Sequence, residues 1–347
     1  MTAAMPGTAP VVAFGETGPL VPCQPGETIL LAGLRAGVPL TYECASGGCG
    51  SCRAQLVSGS VTPRWPQAPG LTERDRRRGN RILMCQSLPD GPCQVRAPQS
   101  AVTGAAAEPR PRRLPGQVSK REMLTDDTAQ FIVEAGGDLP YLAGQFVIIE
   151  FSDGVRRAYS MSRPACLGDP RRLELLIRAK PGGAGSRWLF APQWRALPVT
   201  VEGPYGRAYA RLPATRPAAC LAGGTGLAPV LAIAEELAAA GGHTVEVYVG
   251  VRQAQDLVLA ARLTALRDRG VLIVPVVETG QDQDEHPELG PLRAGLALDH
   301  LATDRPDLSG HDLYIAGPAP MIDATLRRLV RQGTAVADRT FFDRFIA

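Results

Sequence analysis

Cys44, Cys49 and Cys52 fall in one run, Cys44-Ala45-Ser46-Gly47-Gly48-Cys49-Gly50-Ser51-Cys52, and Cys85 follows at a distance. Thiolates spaced C-x4-C-x2-C with a remote fourth are the ligand pattern of a 2Fe–2S cluster. A loop that aims three sulfurs at two irons has to bend sharply. Gly47, Gly48 and Gly50 are therefore expected to take positive φ and to bring backbone N–H groups near the sulfurs. Two plainer readings compete, a structural zinc site and four unliganded buried thiols. Zinc sites tend to pair two short C-x2–4-C knuckles, and Cys85 has no near neighbour of its own type.

A second constellation is split. Arg157-Ala158-Tyr159-Ser160 is followed, after an interval, by Gly182-Gly183-Ala184-Gly185-Ser186 leading into an expected helix. Glycines before a helix N-terminus bind phosphate through bare N–H groups and the helix dipole. The Arg157 fork suits a pyrophosphate and Tyr159 offers a flat face to a ring system. Together they suit a flavin nucleotide; taken singly, each is equally a surface turn or a strand arginine. A third pair of motifs, Gly223-Gly224-Thr225-Gly226 and Ala316-Gly317-Pro318-Ala319-Pro320-Met321, shares a strand–glycine–helix setting. Neither is the full G-x-G-x-x-G fingerprint. At neighbouring strand ends the two turns would form a cleft for a nicotinamide nucleotide.

These groups need three kinds of scaffold, and 347 residues suffice for two or three domains. From 10 to 97 the pattern is short strands (Val11–Phe14, Gly18–Val21, Arg53–Ser58), a helix over Thr28–Ala36, a capping-box helix over Leu71–Arg78, and a strand, Ile82–Cys85, returning the fourth thiol. Residues 98–111 read as a linker. From 112 to 213 short strands between Gly and Pro turns (Gln130–Ala135, Gln145–Phe151, Leu173–Arg178, Val199–Glu202) predict a small antiparallel barrel. From 214 to 347 strands alternate with helices over Leu227–Ala240, Asp256–Arg269 and Ala319–Arg331, which predicts a parallel sheet covered on both faces.

A composition of 45% hydrophobic and 20% charged residues supplies ample core, and a net charge of +3 argues against a nucleic-acid binder. Arginines do gather at Arg74, Arg76, Arg77, Arg78 and Arg81. They read either as a solvated helix face or as a docking patch for an acidic redox partner. Met1 to Pro10 lacks the marks of an export signal, and the apolar run from Ala218 to Ala234 is broken by glycines and Pro229. A cytoplasmic protein with reduced thiols, no membrane span and a monomeric state is expected.

The order of ferredoxin-like loop, Arg-x-Tyr-Ser, Gly-Gly-Thr-Gly and Gly-Pro-x-Pro-Met resembles the ferredoxin-NAD(P)H reductase superfamily. More narrowly, it resembles the reductase components of bacterial multicomponent aromatic oxygenases. Tyr42–Cys52, Trp65–Leu71, Gly224–Val230, Gly250–Leu257, Ala316–Met321 and Phe342–Phe345 carry the likeness. It implies a β-grasp plant-type ferredoxin domain, a six-stranded FAD barrel and a Rossmann-like NAD domain. Arg157 would hold the FAD phosphates, Tyr159 would pack on the isoalloxazine and Ser160 would hydrogen-bond near flavin N5. By the same likeness Ala158 and Ile177 would join the flavin site, and Gly183, Ala184, Gly185 and Ser186 would cradle the pyrophosphate. Gly224, Thr225 and Gly226 would face the nicotinamide, with Gly317, Pro318 and Met321 across the cleft. Ala316 replaces a cysteine that many relatives carry there. Phe342 or Phe345 would cover the flavin or simply pack in the core. Arg252 could form part of a 2′-phosphate pocket, yet NADH is the expected reductant and NADPH the second choice.

The implied reaction passes electrons from NADH to FAD to the cluster, and onward to an oxygenase hydroxylase component or its Rieske-type ferredoxin. A cluster of this type has a potential of roughly −400 mV. Two other roles stay open at this stage. One is a reductase for a deoxysugar dehydratase; the other is a non-enzymatic iron–sulfur carrier or sensor with a decayed nucleotide site, favoured only by Ala316.

Overall fold

The computed structural model describes residues 9–98, 108–279, 284–334 and 338–346. The expected signal-free segment up to Pro10 and the expected linker 98–111 therefore lie largely outside the described residues. Two compact units divide the chain, one up to Arg112 and the other from Arg113 to Ile346.

In the first unit β1 (Val11–Phe14), β2 (Leu20–Pro22), β3 (Arg53–Ser58), β4 (Arg81–Leu83) and β5 (Cys93–Arg96) form one mixed sheet in the order β2-β1-β5-β3-β4. Strands β1 and β5 run parallel and the other pairs are antiparallel. Helix α1 (Ile29–Arg35) begins at Thr28, whose hydroxyl accepts the Leu31 N–H, and buries Ile29, Leu30, Leu31, Ala32 and Gly33. Gly33 is required by contact: a Cβ there would meet Leu40 and the Phe14 ring at 2.5 and 2.8 Å. This is the β-grasp arrangement. Helix α2 (Glu73–Arg78) carries the expected capping box, with Thr72 and Asp75 bonded reciprocally.

The second unit opens with an antiparallel barrel of β6 (Arg112–Met123), β7 (Thr128–Ala135), β8 (Phe146–Glu150), β9 (Arg156–Ser160), β10 (Arg172–Arg178) and β11 (Leu197–Tyr205). The order is β9-β8-β11-β6-β7-β10, and a bridge between Met161 and Leu175 nearly closes it. Phe131, Val133, Val147, Ile149, Leu173, Leu175 and Val201 fill the interior, as alternation along each strand requires. The twelve-residue β6 lacks apolar alternation, which is why its sequence gave no strand signal.

Six parallel strands follow: β12 (Ala218–Gly223), β13 (Val245–Val251), β14 (Leu272–Val277), β15 (Arg293–Ala294), β16 (Asp312–Pro318) and β17 (Thr340–Phe345), ordered β15-β14-β13-β12-β16-β17. Helices α4 (Leu227–Ala240), α5 (Ala260–Asp268), α6 (Ala297–Asp304) and α7 (Ala319–Gln332) cover the sheet, while α3 (Ser186–Leu189) belongs to the barrel. Central β12 is buried along its whole length, as a strand covered on both faces must be. Helix α5 begins at Ala260, four residues later than the expected Asp256, because a 3-10 turn occupies Ala254–Asp256. Helix α6 was not foreseen. Among the described residues no helix is long and apolar enough to cross a membrane.

Candidate redox sites

Cys44, Cys52 and Cys85 are buried and Cys49 is partly exposed. The Cys49 N–H points at the Cys44 sulfur and the Ser51 N–H at the Cys49 sulfur, each at 3.4 Å. The Cys52 and Cys85 sulfurs lie 3.2 Å apart. Gly47 (φ +94°) and Gly50 (φ +79°) take the positive φ that the loop needs, but the third such residue is Ala45 (φ +49°), not Gly48. Cys85 arrives on a 3-10 turn, Met84–Gln86, rather than on a strand as the sequence suggested. The tighter turn follows directly on β4 and swings the thiol toward Cys52.

The thiols fall into two hydrogen-bonded pairs, Cys44 with Cys49 and Cys52 with Cys85. The Cys49 thiol, opposed by burial, pulls Cys44 down to about 5, and Cys85 likewise pulls Cys52 down. Cys49 and Cys85 are pushed up, first by the hydrogen bond to the partner thiol and then by burial. Among the described residues no three His, Cys, Asp or Glu groups converge as a single ion would require. Two pairs, each able to serve one iron, with backbone N–H groups aimed at sulfur, fit a two-iron cluster better than a tetrahedral zinc ion. One residue went unnoticed in the sequence. Gln86, 4% exposed, directs its amide at the Cys85 sulfur from 3.9 Å and packs against Gly47.

In the larger unit the split motif comes together. A Cβ on Gly185 would stand 2.5 Å from the Tyr159 hydroxyl and 3.1 Å from Arg157 Cγ, so the glycine turn rests directly on β9. The turn is fixed by Gly183 N–H donating to the Lys180 carbonyl and by Lys180 N–H donating to Ser186 Oγ, both at 2.8 Å. Arg157 is exposed and donates to the Arg156 carbonyl at 2.8 Å, while Ala158 lies exposed beside it. Burial pushes the Tyr159 hydroxyl up, which keeps it protonated. An exposed guanidinium beside a glycine turn that opens a helix is a donor set suited to a pyrophosphate. The Ile177 side chain is buried in the barrel core, against which Tyr159 also packs.

Beneath Arg157 lies a buried ionic knot. Arg156 bonds Glu202 through both of its Nη atoms at 3.0 and 2.6 Å and reaches Glu150 at 2.7 Å; Tyr205 donates to Glu202 at 2.7 Å. The knot ties edge strand β9 across β8 to β11, which holds its register, so successive residues are delivered to alternate faces.

The two glycine turns of the parallel sheet also meet. A Cβ on Gly226 would overlap the Ala316 carbonyl, and one on Gly223 would press on the Met321 sulfur at 2.5 Å. Gly317 (φ +146°) packs against Gly223, while Pro318 is exposed. Gly226 is thus a packing residue, whereas Gly224 (φ +54°) and Thr225 remain partly open ahead of the fourteen-residue α4. Ala316 is 2% exposed, so a side chain there faces the core. Arg252 is exposed, and its carbonyl accepts from Thr279.

Ser160 Oγ donates to Asp343 Oδ2 at 2.7 Å, joining the barrel to the last strand. Sequence spacing could not signal a pair so far apart. By strand alternation Phe345 shares a face with Asp343, whereas Phe342 shares one with Arg344, which pairs with Asp323 of α7. Phe342 packs against the sheet's core and under the Arg344 guanidinium, so Phe345 is the terminal aromatic on the Ser160 side.

These elements define a flavin- and iron–sulfur-dependent oxidoreductase. Residues 16–90 match the model for a 2Fe-2S iron-sulfur cluster binding domain, 115–209 that for an oxidoreductase FAD-binding domain, and 220–327 that for an oxidoreductase NAD-binding domain. The ferredoxin–NAD(+) reductase component of the alkene monooxygenase system of Xanthobacter autotrophicus is 41% identical over 329 residues, covering 93% of this chain and 97% of its own. The reductase component of the naphthalene 1,2-dioxygenase system of Pseudomonas putida is 33% identical, covering 88% and 89%. Among solved structures, the ferredoxin reductase in carbazole 1,9a-dioxygenase superposes with a TM-score of 0.83 at 28% identity, covering 97% and 98%. The chain belongs to the family of ferredoxin–NAD(P)+ reductase components of oxygenase systems, and its cofactors are FAD, a 2Fe–2S cluster and a nicotinamide nucleotide.

Proposed function

We propose that the protein draws two electrons as hydride from NADH and hands them singly to an oxygenase hydroxylase component or its Rieske-type ferredoxin. The domain division is 10–97 for the cluster, 112–213 for the flavin and 214–347 for the nucleotide, with 98–111 as tether. The flavin, when bound, supplies the exchange between two-electron and one-electron chemistry.

The chain's own groups supply position and electrostatics. Arg157 and the 183–186 turn bind the pyrophosphate, and Tyr159 holds the ring system. The Ser160 hydroxyl, oriented by Asp343, presents a fixed hydrogen-bonding atom at the flavin's reactive edge. Gly224 and Thr225 receive the nicotinamide nucleotide at the carboxyl end of β12, where parallel sheets bind ligands. Cys44, Cys49, Cys52 and Cys85 hold the irons, and the N–H groups of Cys49 and Ser51 stabilise charge on sulfur.

The observation that carries this reading is the pairing of the four thiols in a chain that also holds the β9 and glycine-turn constellation. Anaerobic titration with NADH, followed by absorption, tests it. Flavin bands and the broad cluster absorption bleach together if the reading holds; iron and labile sulfide assays that return nothing, with zinc present instead, would refute it.

A further inference from the structure

We propose that α2 and Trp65 form the docking surface for an acidic one-electron carrier protein, seated beside the cluster loop; the inference rests on the redox reading above. Residues 64–81 hold six arginines against two acids, a net +4, where the whole chain carries only +3. The protein's positive excess is therefore concentrated here.

Core packing does not account for α2. It buries no residue, and a six-residue helix has little stability of its own. Yet it is held at every side. A capping box closes its start and Gly79 (φ 71°) its end; Arg53 bonds Asp75 at 3.0 Å. Arg76 turns back onto the carbonyls of Pro66 and Ala68. One arginine is thus used as a strut while Arg74, Arg78 and Arg77, the last paired with exposed Glu73 at 3.2 Å, are presented to solvent from a fixed frame. A merely solvated charge run needs no such anchoring.

The frame is bonded to the cluster loop. Gly70 N–H donates to the Gly47 carbonyl at 2.9 Å, and a Cβ on Gly50 would press on the Gly70 carbonyl at 2.6 Å. Arg53 spans the two, donating to the Gly50 carbonyl at 3.0 Å while it holds Asp75. Trp65, 41% exposed, opens the segment that runs from Arg64 to α2. Tryptophan and arginine are the residue types that dominate contact energies. A cationic face with one aromatic anchor steers carboxylate-bearing partners, and a small interface of this kind lets a carrier leave after each electron.

The test uses two haem proteins as acceptors, acidic cytochrome b5 and basic cytochrome c. With the full-length holoenzyme and NADH, KM for cytochrome b5 should rise with ionic strength. The R74E/R77E/R78E variant should raise it about tenfold or more at low salt and lower KM for cytochrome c. R74Q/R77Q/R78Q should give a smaller shift of the same sign, and guards against misfolding of the reversed-charge variant. Trp65→Ala should raise KM for cytochrome b5 at all salt concentrations. NADH-driven bleaching of flavin and cluster without acceptor should be unchanged in every variant. An unchanged KM for cytochrome b5 would overturn the proposal, as would slower flavin-to-cluster transfer, which would assign the arginines to the protein's own flavin unit. Salt-dependent binding of cytochrome b5, measured by calorimetry without NADH, reads the surface independently. Loss of NADH bleaching in the unaltered protein would strike the redox reading alone.

Discussion

In the cluster unit three of the four thiols lie between Cys44 and Cys52, on one loop, and the fourth arrives on an adjoining turn. In the flavin–nucleotide unit the working groups sit on β9, on the 182–186 turn, at the ends of β12 and β16, and on β17. The first arrangement is set by local backbone geometry. The second exists only when a barrel and a parallel sheet have both closed. Damage should therefore stay local in one unit and spread in the other, and substitutions can break that contrast.

The largest effect is expected from Cys49→Ser. Cluster absorption and transfer to one-electron acceptors should vanish while NADH still reduces the flavin; loss of flavin reduction as well would show the units to be interdependent. Next, Arg156→Met strips Glu202, 1% exposed, of its two-pronged ion pair and leaves it the Tyr205 hydroxyl and Arg113 at 3.9 Å. Removing one member of a buried pair costs ~3–5 kcal/mol. Denaturant unfolding should shift by that amount together with loss of flavin, while cluster absorption persists.

Two smaller changes sharpen the comparison. Gln86→Leu removes an amide aimed at the Cys85 sulfur, and with it stabilisation of the reduced cluster's extra charge. A spectroelectrochemical titration should show the cluster's midpoint potential lowered and the flavin's unmoved. Glu236, on α4, accepts the Ala143 N–H at 3.3 Å across the barrel–sheet junction, and burial raises its carboxyl above the ordinary 4.5. The folded state then binds more protons than the unfolded one as pH rises past 4.5, so stability falls through that window. Glu236→Gln should flatten the fall and gain under about 1 kcal/mol at neutral pH, seen in thermal unfolding at pH 4 to 8.

The same contrast governs what the sequence reveals. The cluster loop was legible because its chemistry is contiguous, and α2 because its capping box is spelled in adjacent residues. Most strands of the parallel sheet were legible as short runs bounded by turns, but the two-residue β15 was not. What stayed hidden depends on distant pairing. Asp343 reaches Ser160 only through the fold, and Phe345 rather than Phe342 faces that side only because β17 pairs with β16 in one register. Gly48 was expected to bend along with Gly47 and Gly50, yet the third positive φ of the loop falls on Ala45. Strand β6 carries too little periodicity to announce itself, and helix α6 is only eight residues long and opens without a capping side chain.

Ser160 and Asp343 are 183 positions apart, and the later of them belongs to the last strand of the sheet. During synthesis the thiol loop emerges long before its electron source can be finished. A chain that stopped short of the last strand would keep all four thiols but would lack the carboxylate that holds Ser160.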